Sequence, residues 1–193
     1  MRIISGQARG RALTAPAGEK TRPTLDYVRE SLFNIIRWDV VDAQELDLFA
    51  GTGALSLEAV SRGAAGAVLI DADRDACAAI KKNMTSTRLG DRCRLFEMDY
   101  RQALARLARE GQRFDVVFID PPYKMENTGD MCAELYDLGL LAEAFLIVVE
   151  HRRGCAPLVD RRFEAFDIRS YRDTQITLIR RAAGESTETE DRA

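Results

Sequence analysis

The sequence predicts an α/β fold, a mostly parallel sheet covered by helices on both faces, with an antiparallel hairpin at its C-terminal edge. Three observations carry this. Short apolar runs alternate with stretches of helical periodicity, the order that builds parallel sheets. An acid or a glycine turn ends successive runs. The last two runs are separated by only a tight turn.

The elements follow in order. Gly6, Gly10, Pro16 and Gly18 make the first 20 residues an extended or hairpin segment. Thr24 or Asp26 can cap a helix running to Trp38, with Val28, Leu32, Ile35 and Ile36 on one face and Trp38 expected in the core. A strand over 45–50 ends in Gly51-Thr52-Gly53 and leads into a helix over 54–62. The run 67–70 is a strand ending at Asp71. A helix over 74–87 buries Ala76, Ala79, Ile80 and Met84. A strand over 93–98 ends at Asp99, and a helix over 102–109 follows. The strand 114–119 ends in Asp120-Pro121-Pro122-Tyr123. A helix over 129–138, a strand over 145–150 and a hairpin of 163–171 with 174–180 complete the fold. Residues 183–193 hold no apolar side chain except alanine and are expected to lack fixed structure.

A chain of 193 residues with 46% hydrophobic content can bury a core without staples. No apolar stretch approaches the roughly 20 residues that span a bilayer, and Met1 leads straight into Arg2-Ile3-Ile4-Ser5 with no signal region. Cys77, Cys93, Cys132 and Cys155 form no CxxC pair, and His151 is the one histidine. A metal site and a disulfide framework are not expected. These features point to a cytoplasmic protein with reduced thiols, and nothing demands more than a monomer.

Charge is uneven. The net charge is -3, yet residues 1–37 carry +4 and residues 184–193 carry -3. The basic start reads as a phosphate-binding patch, with a solvated arm as the alternative.

In parallel sheets, ligands bind at the carboxyl ends of the strands, where the strand order reverses. Gly51 and Gly53 let the backbone bend and approach a ligand closely. Asp71, 20 residues after Gly51, can accept hydrogen bonds from ribose hydroxyls. This pair fits a nucleoside-containing cofactor without choosing between NAD and S-adenosylmethionine. Ser56 occupies the place of the third glycine that a pyrophosphate turn wants, and Asp47 would face a cationic ligand more comfortably than a pyrophosphate. Together with Asp99, these residues favour the methyl donor. The alternative is that the aspartates only cap the following helices.

Asp120-Pro121-Pro122-Tyr123 can be a rigid strand-ending turn. It can also be an amine-methylating site. An exocyclic amine on a base is a poor nucleophile, because its lone pair is delocalised into the ring. The Asp120 carboxylate and the Pro121 carbonyl can hold its two N–H groups and aim the lone pair. Pro122 fixes the turn, and Tyr123 offers a face for stacking.

The start of the chain narrows the resemblance. Arg2-Ile3-Ile4-Ser5-Gly6, Arg9-Gly10-Arg11, Leu13, Pro16, Arg22-Pro23-Thr24, Asp26 and 28–34 precede the glycine turn and the Asp-Pro-Pro-Tyr motif. In this combination the chain resembles the RsmD family, bacterial 16S ribosomal RNA guanine-N2 methyltransferases, over residues 1–181. The resemblance implies a Rossmann-like class I methyltransferase fold with seven strands, S-adenosylmethionine as donor, and a guanine of 16S rRNA in the small ribosomal subunit or an assembly intermediate as acceptor. The chain then divides into a basic extension with its helix (1–38), a methyltransferase domain (39–182) and an acidic tail (183–193) that is not part of the family pattern and is given no role. The resemblance makes 120–123 the catalytic turn. Asp47, Phe49, Gly51 and Gly53 would surround the methionine end of the donor, Asp71 would hold the ribose, and Ala72 and Asp99 would meet the adenine. Arg22 and Thr24 would lie near donor and RNA. Arg2, Arg9, Arg11, Arg22 and Arg29 are expected to hold RNA phosphates, with Lys124 a further candidate.

Two other functions fit parts of the pattern. One is methylation of another amino group, in DNA adenine or a protein glutamine. A DNA enzyme would need a longer target-recognition insertion, and a glutamine enzyme resembles Asn-Pro-Pro-Tyr, whereas position 120 is Asp. The other is a non-catalytic RNA-binding module that keeps the fold.

Overall fold

The computed structural model describes residues 1–16, 24–122, 125, 128–172 and 174–184. Seven strands form one sheet: β1 (Gln44–Asp47), β2 (Gly66–Asp71), β3 (Cys93–Glu97), β4 (Phe114–Ile119), β5 (Leu141–Arg152), β6 (Phe163–Tyr171) and β7 (Thr174–Arg181). Their order is β3-β2-β1-β4-β5-β7-β6. The first five strands are parallel, and β7 lies antiparallel between β5 and β6. Among the described residues α1 (Thr24–Ile35) precedes the sheet, and α2 (Ala54–Ser61), α3 (Arg74–Thr87), α4 (Tyr100–Arg109) and α5 (Thr128–Asp137) connect its parallel strands. This is the Rossmann-like arrangement that the sequence predicts. Strand order reverses between β1 and β4, the position at which such sheets bind ligands.

Side chains alternate across the pleat, so each strand feeds two cores. Leu69, Val116, Phe118, Leu146 and Val148 join one core with α1, α2 and the chain start. Leu46, Val68, Val117, Ile147 and Val149 join the other with α4 and α5. The period-2 rule therefore puts Glu45 and Asp47 on the α2 side, within an otherwise apolar layer.

Several boundaries differ from expectation. β1 stops at Asp47, because Leu48 onward already enters the glycine turn. β5 is longer than expected and starts at Leu141, which pairs with Phe114 before a register shift. α1 ends at Ile35, and Trp38 is 74% exposed, not in the core. The chain turns there so that Ile36 and Val40 take the buried positions. The Trp38 ring lies under the Arg37 guanidinium at 4.7 Å.

The first 14 residues are fastened to the sheet. Ile3 N–H donates to Arg11 O at 2.9 Å and Gly10 N–H to Ile3 O at 2.8 Å, closing a hairpin-like strap. Ile3, Ala8 and Leu13 are buried under it. The strap is anchored on α2. Ile4 N–H donates to Glu58 Oε2 at 2.7 Å and Ser5 N–H to Glu58 Oε1 at 3.0 Å. Ser61 Oγ accepts from Ala8 N–H and donates to Ser5 O. At Gly6 (φ +79°), a Cβ would stand 1.8 Å from Ser61 O, so only glycine allows this approach. Farther on, Asn83 accepts from Thr14 N–H and donates to both Thr14 O and Thr52 O.

Glu58 is fully buried and gathers charge as well. Arg62 Nε donates to it at 2.6 Å, and Arg29 Nε lies 3.9 Å away. Replacing it by alanine strands two buried N–H groups and a buried guanidinium. Glu58→Ala is expected to lose about 3–5 kcal/mol of stability, measured by chemical denaturation. A loss within the range of an exposed ion pair, under about 1 kcal/mol, would show that the strap is held by its apolar contacts instead.

Candidate active site

The glycine turn hangs between neighbouring strands. Leu48 N–H donates to Phe118 O at 3.1 Å and Ala50 N–H to Ile70 O at 2.9 Å. Gly51 (φ +55°) and Gly53 (φ +74°) both adopt left-handed backbone. A Cβ on Gly53 would press Leu69 Cδ2 at 3.1 Å, whereas one on Gly51 would meet nothing within 4 Å. Gly51 thus presents bare backbone to open space, and Gly53 closes the turn onto the sheet.

Two of the predicted acids, Asp47 and Asp71, bond to this turn, and Asp99 does not. Asp71 Oδ2 accepts from Gly51 N–H at 2.8 Å, and its Oδ1 accepts from Asp73 N–H at 2.8 Å. Asp71 therefore ties the turn to the end of β2 while remaining half-buried. Ala72 beside it is exposed. Asp73, not Asp71, caps α3. Asp99 is exposed and caps α4 through Arg101 N–H at 2.9 Å. The capping reading is thus right for Asp99 and does not describe Asp71.

Asp47 is buried. It accepts from Phe49 N–H at 3.2 Å and from Ser56 Oγ at 3.3 Å. Burial raises its carboxyl to about 7, against the pull of those two donors, and the nearby Asp71 pushes the same way as burial. Ser56, where a pyrophosphate turn has glycine, is thus a support for Asp47. Glu45 was not singled out in the sequence. It is buried two residues earlier on the same face, and neither carboxylate oxygen has a hydrogen-bond partner. Burial and Asp47 push its carboxyl well above the usual range. Its one signal was an acid inside a short strand. Phe49 stacks at a tilt on Tyr100, with centroids 5.2 Å apart.

These residues suit a donor that carries positive charge. Buried acid on the α2 side, acids at three strand ends and open backbone at Gly51 would welcome a cation and would oppose a pyrophosphate.

On the other side of the switch point, Asp120 and Pro121 follow β4 and line a small, open cleft with Met125, Thr128, Glu150, His151, Arg152 and Cys155. The sequence offered no sign of Thr128 or Glu150, since Glu150 comes to the cleft through the pairing of β5 with β4 and Thr128 through the start of α5. Pro122 O accepts from Met125 N–H at 2.8 Å. His151 commits both ring nitrogens, to Thr177 Oγ1 and Arg152 O at 2.8 Å each, and is an ordinary structural histidine. Burial pushes the thiols of Cys77, Cys93 and Cys132 up to about 11, 12 and 12, while Cys155 is exposed. Among the described residues no cluster of acids, cysteines and histidine could hold a metal, and no helix is long and apolar enough to cross a membrane.

The expected RNA-facing arginines separate. Arg2 and Arg9 are exposed on the strap. Arg11 is half-buried and donates to Ser86 O at 2.7 Å. Arg29 is a correction. It is 4% exposed, pairs with Asp26 and Glu58, and donates to Arg2 O, so it holds the strap and does not face RNA. Its position on the inner face of α1 removes it from the surface. Arg22, Tyr123, Lys124 and the tail from 185 lie outside the described residues, as does the side chain of Thr24.

Comparison with known proteins agrees with this arrangement. The model of the family described as conserved hypothetical protein 95 matches residues 1–180. The chain is 45% identical over 150 residues to ribosomal RNA small subunit methyltransferase D of Escherichia coli strain K12, covering 78% of this chain and 74% of that protein. It is 39% identical over 153 residues to the putative rRNA methyltransferase YlbH of Bacillus subtilis, covering 79% and 83%. The solved structure of the putative methyltransferase yhhF from Escherichia coli superimposes with a TM-score of 0.81 at 39% identity, over 95% of this chain and 98% of that one. Fold, turn geometry and these relatives lead to one conclusion: the chain belongs to the RsmD family.

Proposed function

We propose that this protein transfers a methyl group from S-adenosylmethionine to the 2-amino group of a guanine in 16S rRNA. The observation that carries the proposal is the pairing of two turns across the strand-order switch. The open glycine turn follows β1, and the Asp120-Pro121-Pro122 turn follows the adjacent β4. The relatives named as small-subunit rRNA methyltransferases support the choice of substrate.

When bound, S-adenosylmethionine would supply an electrophilic methyl group on a sulfonium. The chain's own residues do the rest. Asp47 would hold the donor's ammonium, with Ser56 and Phe49 N–H orienting the carboxylate. Gly51 would let the backbone approach. Asp71 has lone pairs left beyond those used by Gly51 and Asp73, and these would take ribose hydroxyls. Ala72, Asp99 and Phe49 would border the donor. Arg22 and Thr24 are proposed beside it from the resemblance alone. At the acceptor, the Asp120 carboxylate and the Pro121 carbonyl would hold the two amine hydrogens and direct the lone pair. Asp120 would receive the proton lost after transfer. Tyr123 would stack on the base, and much of the acceleration would come from positioning. Arg2 and Arg9 would hold phosphates, with Arg11, Arg22 and Lys124 as further contacts.

The direct test is transfer of labelled methyl groups to small-subunit RNA that lacks the modification, followed by nucleoside analysis. Label in N2-methylguanosine is expected; label in any other nucleoside, or in protein, would overturn the assignment. Asp120→Ala is expected to lower the transfer rate by roughly 30- to 1000-fold, about 2–4 kcal/mol, with donor affinity unchanged. A variant with near wild-type turnover would remove Asp120 from the chemistry.

Donor affinity should depend on pH through Asp47. Its carboxyl sits at about 7 in the free protein, and an ammonium partner favours the ionised form. Binding below pH 7 must therefore expel a proton, so affinity falls by up to about tenfold per pH unit below 7 and levels off above it. Calorimetry across pH 5.5–8.5, about three units, reads this directly; a flat profile would show that the ammonium is not held by Asp47. For the strap, the double variant Arg2→Ala with Arg9→Ala should weaken RNA binding and flatten its salt dependence, each lost contact removing about 0.7–0.9 of a unit of slope. Donor affinity is the control, and an unchanged slope returns these arginines to a solvated arm.

A further inference from the structure

The acceptor cleft contains more hydrogen-bonding capacity than amine activation needs. Ile119 of β4 pairs with Val149 of β5, so Asp120, the first residue after β4, comes beside Glu150 within β5. Neighbouring strands lie about 4.8 Å apart, and both residues line the same cleft. Glu150 is half-buried. Its burial pushes the carboxyl above the usual range, with the Thr174 side chain pulling the other way. Thr128 opens α5 on the same cleft, and its Oγ1 is buried with no hydrogen-bond partner. Buried hydroxyls are almost always satisfied, and one that borders a cleft points to a missing ligand atom. His151, the remaining polar ring there, has both nitrogens committed.

A guanine edge presents an acceptor at O6, a donor at N1 and two donors at the 2-amino group. The Asp120 turn would account for the 2-amino group. A carboxylate beside it matches the neighbouring N1–H, and a hydroxyl matches O6. Adenine would place a lone pair at N1 against the Glu150 carboxylate.

We propose that Glu150 and Thr128 read the Watson–Crick edge of the acceptor base, Glu150 accepting from guanine N1–H and Thr128 donating to O6. This rests on the guanine-N2 reading above and supplies its base selectivity. An acceptor at N1–H also raises electron density on the adjoining amidine nitrogen, so Glu150 would assist the nucleophile as well as identify the base.

The test compares two acceptors at the nucleotide that the wild type methylates. One RNA carries guanine there, and the other carries 2,6-diaminopurine, introduced by ligation. Diaminopurine keeps the 2-amino group but has a lone pair at N1 and an amino group at position 6. Wild type is expected to prefer guanine in kcat/KM by at least about tenfold. Glu150→Gln puts an amide N–H2 where the carboxylate stood and can donate to N1 of diaminopurine. It should narrow the preference by about tenfold or more, with donor affinity unchanged. A merely structural role would slow both acceptors in proportion, and an unmoved ratio overturns the assignment of Glu150. Thr128→Val removes a hydroxyl that has no partner in the free protein. It should leave Tm no lower while reducing transfer to guanine by about tenfold; undiminished transfer overturns the O6 contact. If the wild type methylates no guanine N2, the proposed function falls with the inference. If it does and the ratio stays fixed, the inference falls alone.

Discussion

The strap over the sheet depends on one buried carboxylate. Glu58 sits on α2, one turn beyond the glycine loop, and receives Ile4 N–H, Ser5 N–H and the Arg62 guanidinium. Buried charge is tolerated only when its hydrogen-bonding capacity is filled, and here the chain start does the filling. The constraint works in both directions. Residues 1–14 are ordered because α2 offers an acceptor, and α2 can bury this acid because the strap supplies donors. Arg29 extends the link to α1, and Asn83 extends it to Thr52 in the glycine turn. The basic segment and the candidate donor loop are therefore parts of one hydrogen-bonded unit.

A second constraint is the alternation of side chains along the strands. Glu45 and Asp47 share a face because they are two apart, and Asp120 and Glu150 are neighbours because β4 and β5 are in parallel register. The sheet thus sorts its acids into two groups on either side of the switch point. One is buried and suited to a cation. The other borders a cleft and is suited to the N–H groups of a base. Rigid strands deliver Glu45, Asp47 and Glu150, and Asp120 follows directly on the end of β4.

Much of this was legible in the sequence. Periodicity marked every strand, although β5 began earlier than its apolar run suggested, and Asp47, Asp71, Asp99 and Asp120 stood out because each closes a strand. What was not legible came from pairings distant in sequence. Glu58 looks like any acid in a short helix, and its donors lie more than 50 residues away. Arg9 and Arg29 are the same residue type in the same basic stretch, yet one is exposed and the other is an internal tie. Only the helix face and the position of the strap separate them. Glu150 and Thr128 reach Asp120 through strand register and the start of α5, which composition does not encode. Trp38 was misplaced because the helical pattern ran past the actual end of α1.

The distribution of the four thiols gives the molecule an unplanned chemical asymmetry. Three are held protonated by burial, and thiolate is the reactive form. Cys155 is exposed, and it stands on the wall of the cleft lined by Asp120 and Glu150. An electrophile in solution therefore meets Cys155 first, beside Asp120 and Glu150, with Cys93 only partly exposed. The native chain thus carries its most accessible attachment point for a fluorophore or spin label on that cleft, with no cysteine to be added.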